Sequence, residues 1–242
     1  MNDKPLRLDG VSHSFGSLQV VQELRLEIAH GEFVVLVGPS GCGKTTLLNL
    51  MAGFYQPTSG TIERSCTTHM VYQSDGLFPW LTVEENIGLG LRHHKDKKNL
   101  GDELRYLMDL IQLNGFGKHY PHQLSGGMRQ RVELARALAG EARVLLMDEP
   151  FSSLDYQTRL RMRREFLRIL AVRPCTVVFV THDIEEATQL ADRILVLTNP
   201  PAQIKDEVRL DLKHPRDIAD PAITSAAKRV LYQLGLSNGN LA

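Results

Sequence analysis

The apolar residues of this chain gather into a few short, unbroken runs. Glu32-Phe33-Val34-Val35-Leu36-Val37 ends at Gly38, and similar runs recur at Val144-Leu145-Leu146-Met147, Thr176-Val177-Val178-Phe179-Val180 and Arg193-Ile194-Leu195-Val196-Leu197. Runs with no polar face predict strands buried on both sides, as in a mostly parallel sheet covered by helices. Between the second and third runs, Met162, Phe166, Ile169 and Leu170 recur at i, i+4, i+7 and i+8. That spacing predicts an amphipathic helix from Asp155 to about Val172, with the intervening arginines facing water. Strand, helix, strand in that order is a βαβ unit, so the predicted fold class is α/β.

The stretch from about Ser74 to Ala139 has few β-branched runs and reads as helices and loops. It predicts a helical lobe inserted between a strand ending near Gln73 and the strand at Val144. The expected layout is one domain over 1–242: a core lobe at about 1–73 and 143–200, a helical lobe at about 74–142, and a tail at 201–242. Beyond Pro200-Pro201 the chain turns polar and less periodic, which predicts a tail packed on the core. The basic run from Arg92 to Lys98 reads as a solvated loop.

Composition narrows the class. Hydrophobic residues at 43% and charged residues at 23% exclude wholesale disorder. Lysine plus arginine equal aspartate plus glutamate at 28 each, so a basic footprint for nucleic acid is absent. The longest apolar runs fall far short of the ~18 residues of a membrane span. Met1 to Pro5 leads straight into mixed polar sequence, predicting no secretory leader. Cys42, Cys66 and Cys175 are unclustered and odd in number, fitting neither a disulfide framework nor a zinc site. The expectation is a soluble, intracellular protein.

Candidate chemistry begins at Gly38-Pro39-Ser40-Gly41-Cys42-Gly43-Lys44-Thr45, which fits the phosphate-binding P-loop pattern G-x-x-x-x-G-K-[ST]. A buried strand precedes it, and a helix-competent segment opening with Thr46 follows. Glycines let the backbone turn its N–H groups toward phosphate oxygens, and the helix N-terminus adds partial positive charge. Lys44 is expected to reach the β- and γ-phosphates, and the Thr45 hydroxyl to ligate Mg²⁺. Cys42 reads as a permissive loop position. Asp148 and Glu149 close the apolar run Leu145-Leu146-Met147, at a strand end where α/β proteins gather ligands. Asp148 is expected to hold the Mg²⁺ shell and Glu149 to polarise an attacking water. His119 and His122 are three apart, but Pro121 between them and the lack of nearby carboxylates favour surface or packing roles over metal.

Leu124-Ser125-Gly126-Gly127-Met128-Arg129-Gln130-Arg131 resembles the signature motif of ATP-binding cassette (ABC) ATPases. Further segments match that family in order. Phe15 stands where the family carries an aromatic that stacks on adenine, more often tyrosine. Gln73 matches the Q-loop, which meets metal and water; Ser152-Ser153-Leu154-Asp155 matches the D-loop; and Thr181-His182-Asp183 carries the switch histidine, His182. The resemblance runs from about Leu6 to Ile204. It implies a P-loop ATPase core with an inserted helical lobe, ATP and Mg²⁺ as ligands, and Glu149, His182 and Gln73 as catalytic residues. It also implies that Ser125, Gly126 and Gly127, ahead of a helix expected from Met128 to Ala139, cap the nucleotide held by a second cassette. Two cassettes then close head to tail, a homodimer being the simplest form.

Gln73-Ser74-Asp75-Gly76-Leu77-Phe78-Pro79-Trp80-Leu81-Thr82-Val83, Ser153 to Arg159, and Leu197 to Ile204 resemble the cassettes of nitrate, sulfonate and taurine importers. That resemblance implies an ATP-hydrolysing subunit on the inner face of the cell membrane. Its partners would be a separate permease, met through the lobe holding Trp80, and indirectly an extracytoplasmic solute-binding protein. One departure is the segment between Thr61 and Val71, shorter than the family's hairpin, which puts the local sheet in question. Alternatives are a soluble cassette ATPase acting on ribosomes or DNA, or the ATPase of an exporter. The neutral charge, and the lack of a second cassette or a long coiled coil, weigh against the first. A P-loop kinase or GTPase would leave Leu124 to Gly127 without a role.

Overall fold

The computed structural model describes residues 4–72, 76–92, 99–140 and 142–236. Gln73, and His93 to Lys98 of the basic run, lie outside them. The chain opens with β1 (Leu6–Phe15), β2 (Leu18–Ile28), β3 (Phe33–Val37), α1 (Lys44–Ala52), β4 (Ser59–Arg64) and β5 (Thr68–Val71). Helices α2 (Val83–Leu91), α3 (Leu100–Leu110) and α4 (Gly126–Ala139) follow, with a 3-10 turn at Pro121–Gln123. Next come β6 (Val144–Asp148), α5 (Tyr156–Val172), β7 (Thr176–Val180), α6 (Ile184–Leu190) and β8 (Arg193–Leu197). Last are β9 (Ile204–Arg209) and α7 (Pro221–Gln233).

The chain divides into two compact units. The first comprises Met1–Cys66 and Thr176–Ala242. Its centre is β3, paired in parallel with β7 on one side and β8 on the other. Every residue of these three strands is buried, which explains their unbroken apolar runs. Helix α1 packs on β7 and α6 on β3. The Phe33 and Phe179 rings meet at 5.9 Å. A separate antiparallel sheet, in the order β2-β1-β4, belongs to the same unit. Along β2, Leu24, Leu26 and Ile28 are buried while Arg25 and Glu27 are exposed. That alternation is the mark of a sheet with one wet face, and a search for continuous runs passes over it.

The presumed tail has its own structure. β9 pairs antiparallel with β8, and α7 packs on α6 and β9. Ile223, Ala226 and Val230 of α7 are buried, a helical i, i+3, i+7 stripe hidden in a polar segment. The shortened segment likewise keeps its strands, since β4 pairs with β1.

The second unit is Thr67–Cys175. It contains the segment 74–142, together with β5, β6 and α5. β5 and β6 pair in parallel, with Val71 opposite Met147. α4 is the central helix, packed on α2, α3, α5 and β5. Its approach to α2 is so close that a Cβ on Gly90 would collide with the Arg136 carbonyl, so only glycine fits there. Along α5, Met162, Phe166 and Ile169 are buried as expected and Leu170 is half-buried. Arg161 and Arg164 face water, but Arg163 is only 2% exposed, correcting the expectation that all these arginines would be solvated. Position 163 lies beside Phe166 and Leu170, three and seven residues on, so a wide apolar stripe carries it inward. Among the described residues, no helix is long and apolar enough to cross a membrane.

Candidate functional site

In the first unit, the chain leaves β3 at Val37 and turns through Gly38 to Gly43 into α1. Gly41 and Gly43 have φ of 74° and 106°, left-handed conformations that favour glycine. At Gly43 space is short as well, since a Cβ there would stand 2.8 Å from Val20 Cγ1. Lys44 folds back into this curl. Its Nζ donates to the carbonyls of Gly38 at 2.8 Å and Pro39 at 2.9 Å, and the residue is only 8% exposed. An ammonium is thereby held inside a loop that ends at a helix N-terminus, two sources of positive potential in one place. Cys42 is buried beside it, and burial pushes its thiol up against the opposing influence of Lys44. A thiol so shielded is neither nucleophile nor ligand. Ser40 and Thr45 are exposed, and Thr46 is half-buried.

Because β3 and β7 run in parallel with Leu36 opposite Val180, their C-terminal ends share one edge of the sheet. His182 leaves β7 at that edge and is exposed. Its turn is pinned from both sides: the Thr181 hydroxyl donates to Glu186 Oε2 at 2.6 Å and accepts from the Asp183 amide at 3.0 Å. Asp183 then caps α6, accepting from the amides of Glu185 and Glu186.

Phe15 ends β1 with 47% of its surface exposed. His13 and Tyr55 flank its ring at centroid distances of 4.7 and 5.5 Å. These two neighbours were not anticipated. The strand period of two was a signal for His13, which shares a face with Phe15, but nothing local announces Tyr55.

The second unit holds the acidic pair and the signature segment. Asp148 is the last residue of β6 and is 7% exposed. Glu149 follows with φ 45°, a left-handed conformation rare outside glycine. Its carbonyl accepts from both the amide and the hydroxyl of Ser152, at 3.1 and 2.9 Å. Ser125 caps α4, its Oγ accepting from the Met128 amide at 3.3 Å, so the helix begins at Gly126, two residues earlier than expected. A Cβ on Gly126 would lie 3.0 Å from Leu154, and one on Gly127 3.1 Å from Thr158. The signature glycines thus pack on the segment 152–155 and the first turn of α5. Asp155 caps that helix, and the hydrogen bonds from Thr158 hold its carboxyl below the ordinary range. Gln73 is two residues beyond β5 and lies outside the described residues.

The same unit presents Trp80, 68% exposed, with its ring 5.3 Å from that of Phe78. Fully buried Asn86 holds their loop, accepting from the Phe78 amide and donating to the carbonyls of Phe78, Leu81 and Thr82. His119 is half-buried with its ring against Phe116, and His122 is a surface residue stacked on the exposed Tyr120. Among the described residues, no three His, Cys, Asp or Glu side chains form a metal cluster.

The family model for ABC transporters matches residues 21–152. The aliphatic sulfonates import ATP-binding protein of Bacillus cereus is 40% identical over 238 residues, covering 93% of this chain and 94% of that protein. The nitrate import ATP-binding protein of a Synechocystis species is 43% identical over 206 residues, covering 81% of this chain and 77% of that one. Among solved structures, a dimeric ATP-binding cassette in a post-hydrolysis state, bound to ADP and Pi, superposes with a TM-score of 0.72. It is 29% identical and covers 86% of this chain and 100% of its own.

Proposed function

This chain belongs to the ABC transporter family, and we propose on that footing that it is the ATP-hydrolysing subunit of an importer of small oxyanionic solutes. The observation that carries the reading is the 40% identity to a sulfonate import ATP-binding protein across nearly the full length of both chains. The nitrate importer subunit supports the same solute chemistry, a small anion whose charge is spread over oxygens.

In this reading Lys44 leaves the Gly38 and Pro39 carbonyls to meet the β- and γ-phosphates, while the backbone N–H groups from Gly38 to Thr46, other than at Pro39, surround them. Phe15 carries the adenine. Mg²⁺, when bound, neutralises phosphate charge, and the Thr45 hydroxyl, Asp148 and Gln73 would hold it. Such a donor set suits the ion, since Mg²⁺ favours hard oxygens and is usually held by one or two carboxylates plus phosphates. Glu149 accepts a proton from the attacking water, His182 senses the γ-phosphate, and Gln73 meets the metal and that water. Ser125, Gly126 and Gly127 present the N-terminus of α4 to the nucleotide of a second cassette. The dimeric cassette bound to ADP and Pi supports that pairing. Phe78 and Trp80 supply an exposed apolar face on the lobe for a membrane permease, which would hold this subunit at the inner membrane surface. A solute-binding protein outside the membrane would complete the system.

The test is Glu149→Gln. With Mg-ATP this variant is expected to bind nucleotide, form a stable dimer on size-exclusion chromatography, and lose about 10²–10⁴ in hydrolysis rate. A monomer that turns over at the wild-type rate would refute the assignment. Affinity purification from native membranes should recover a polytopic permease; ribosomal proteins would point to the soluble alternative.

A further inference from the structure

A phenylalanine at the adenine-stacking position lacks the hydroxyl by which a tyrosine could anchor its ring. Phe15 also stands at the exposed end of β1, beside the turn at Gly16. Something else has to set its plane. His13 and Tyr55 lie parallel to each other within 4°, with centroids 5.6 Å apart. Phe15 stands nearly perpendicular to both, at 87° to His13 and 85° to Tyr55. Edge-to-face packing is the arrangement that ring quadrupoles favour, so the two flat neighbours act as one slab that fixes the third ring.

The slab is itself anchored. The carbonyl of Gln56 can only accept, so His13 donates to it from Nδ1, at 3.0 Å. The Thr58 amide donates to the Ser12 carbonyl at 2.8 Å, and the Ser14 amide to Thr58 Oγ1 at 3.1 Å. The loop carrying Tyr55 is therefore stapled to β1 on both sides of His13. Exposure rises outward, from 9% at His13 to 37% at Tyr55 and 47% at Phe15. A flat ligand meets Phe15 first, on a ring whose orientation has already been set.

We propose that Tyr55, backed by His13, is a positioning residue that holds the Phe15 ring in the plane that receives the purine base. This rests on the reading of Phe15 as the base platform. Stacking reads the face of a base and ignores the phosphates, so the role of Tyr55 is separable from that of the P-loop.

Titration calorimetry of the full chain with a non-hydrolysable ATP analogue, and separately with Mg-tripolyphosphate, tests it. Tyr55→Ala should weaken the analogue about two- to tenfold, the span expected for losing one aromatic pair, and leave tripolyphosphate unchanged. Tyr55→Phe should restore affinity, and in ATPase assays the loss should fall in KM. Phe15→Ala should weaken the analogue at least as much, and adding Tyr55→Ala to it should cost nothing more. If Phe15→Ala weakens binding and Tyr55→Ala does not, the positioning role alone falls. If Tyr55→Ala weakens both ligands equally, Tyr55 merely supports the fold. If Phe15→Ala binds like wild type, the base platform falls and the inference with it.

Discussion

Ser152 donates twice to the carbonyl oxygen of Glu149, through its amide at 3.1 Å and its hydroxyl at 2.9 Å. Glu149 needs that support, because its backbone sits at φ 45°, where a side chain crowds the preceding carbonyl. Removing the hydroxyl leaves one bond of the two, worth about 0.5–1.5 kcal/mol. Ser152→Ala should therefore lower kcat about two- to tenfold while affinity for a non-hydrolysable ATP analogue stays constant. A steady-state assay beside a binding titration checks both halves.

Lys44→Ala removes the ammonium from the curl of the loop. Gly38 and Pro39 are half-exposed, so water can replace the lost donor at their carbonyls and the fold should survive. Hydrolysis should drop at least about 10²-fold, as for loss of a donor aimed at developing charge, and ATP binding should weaken. Circular dichroism with an ATPase assay separates this from unfolding; a wild-type rate would remove Lys44 from the site.

Gly126→Asp brings a carboxylate to the start of α4. A carboxylate there favours the helix, so stability should hold, but it repels a nucleotide approaching from a second cassette. The new side chain also begins 3.0 Å from Leu154, which must give way. Binding of ATP to the monomer should stay near normal while dimer closure and hydrolysis are lost. Equal loss of monomer binding would mean that the site is not shared between two copies.

Asp192 offers a pH test of the first unit. Burial works against its charge, but His214, whose Nε2 lies 3.8 Å from Oδ1, the hydrogen bond from the Phe33 amide and the nearby Arg216 outweigh it and hold the carboxyl below its ordinary value. A depressed folded pKa contributes stability above the unfolded value, about 3.9, which is lost as pH falls through the folded one. Asp192→Asn should melt about 2–4 °C lower than wild type at neutral pH. That gap should close below about pH 4. A gap of constant size from pH 7 to pH 3 would show that charge plays no part.

Much of this protein is legible in its sequence because the relevant physics is local. Continuous apolar runs must be strands buried on both faces, and β3, β6, β7 and β8 form where those runs lie. The P-loop glycines act on backbone within a few residues, so their spacing suffices. What the sequence left open depends on partners far along the chain. Arg163 goes inward because of what surrounds α5, the alternating β2 gains its meaning only when β1 lies beside it, and α7 has a face only once β9 and α6 are there to cover it. Tyr55 meets Phe15 across forty residues because Thr58 and Gln56 bond to β1, and no pattern around either ring encodes that contact. Periodicity records which side of an element avoids water; only the folded chain decides which residues wait on that side.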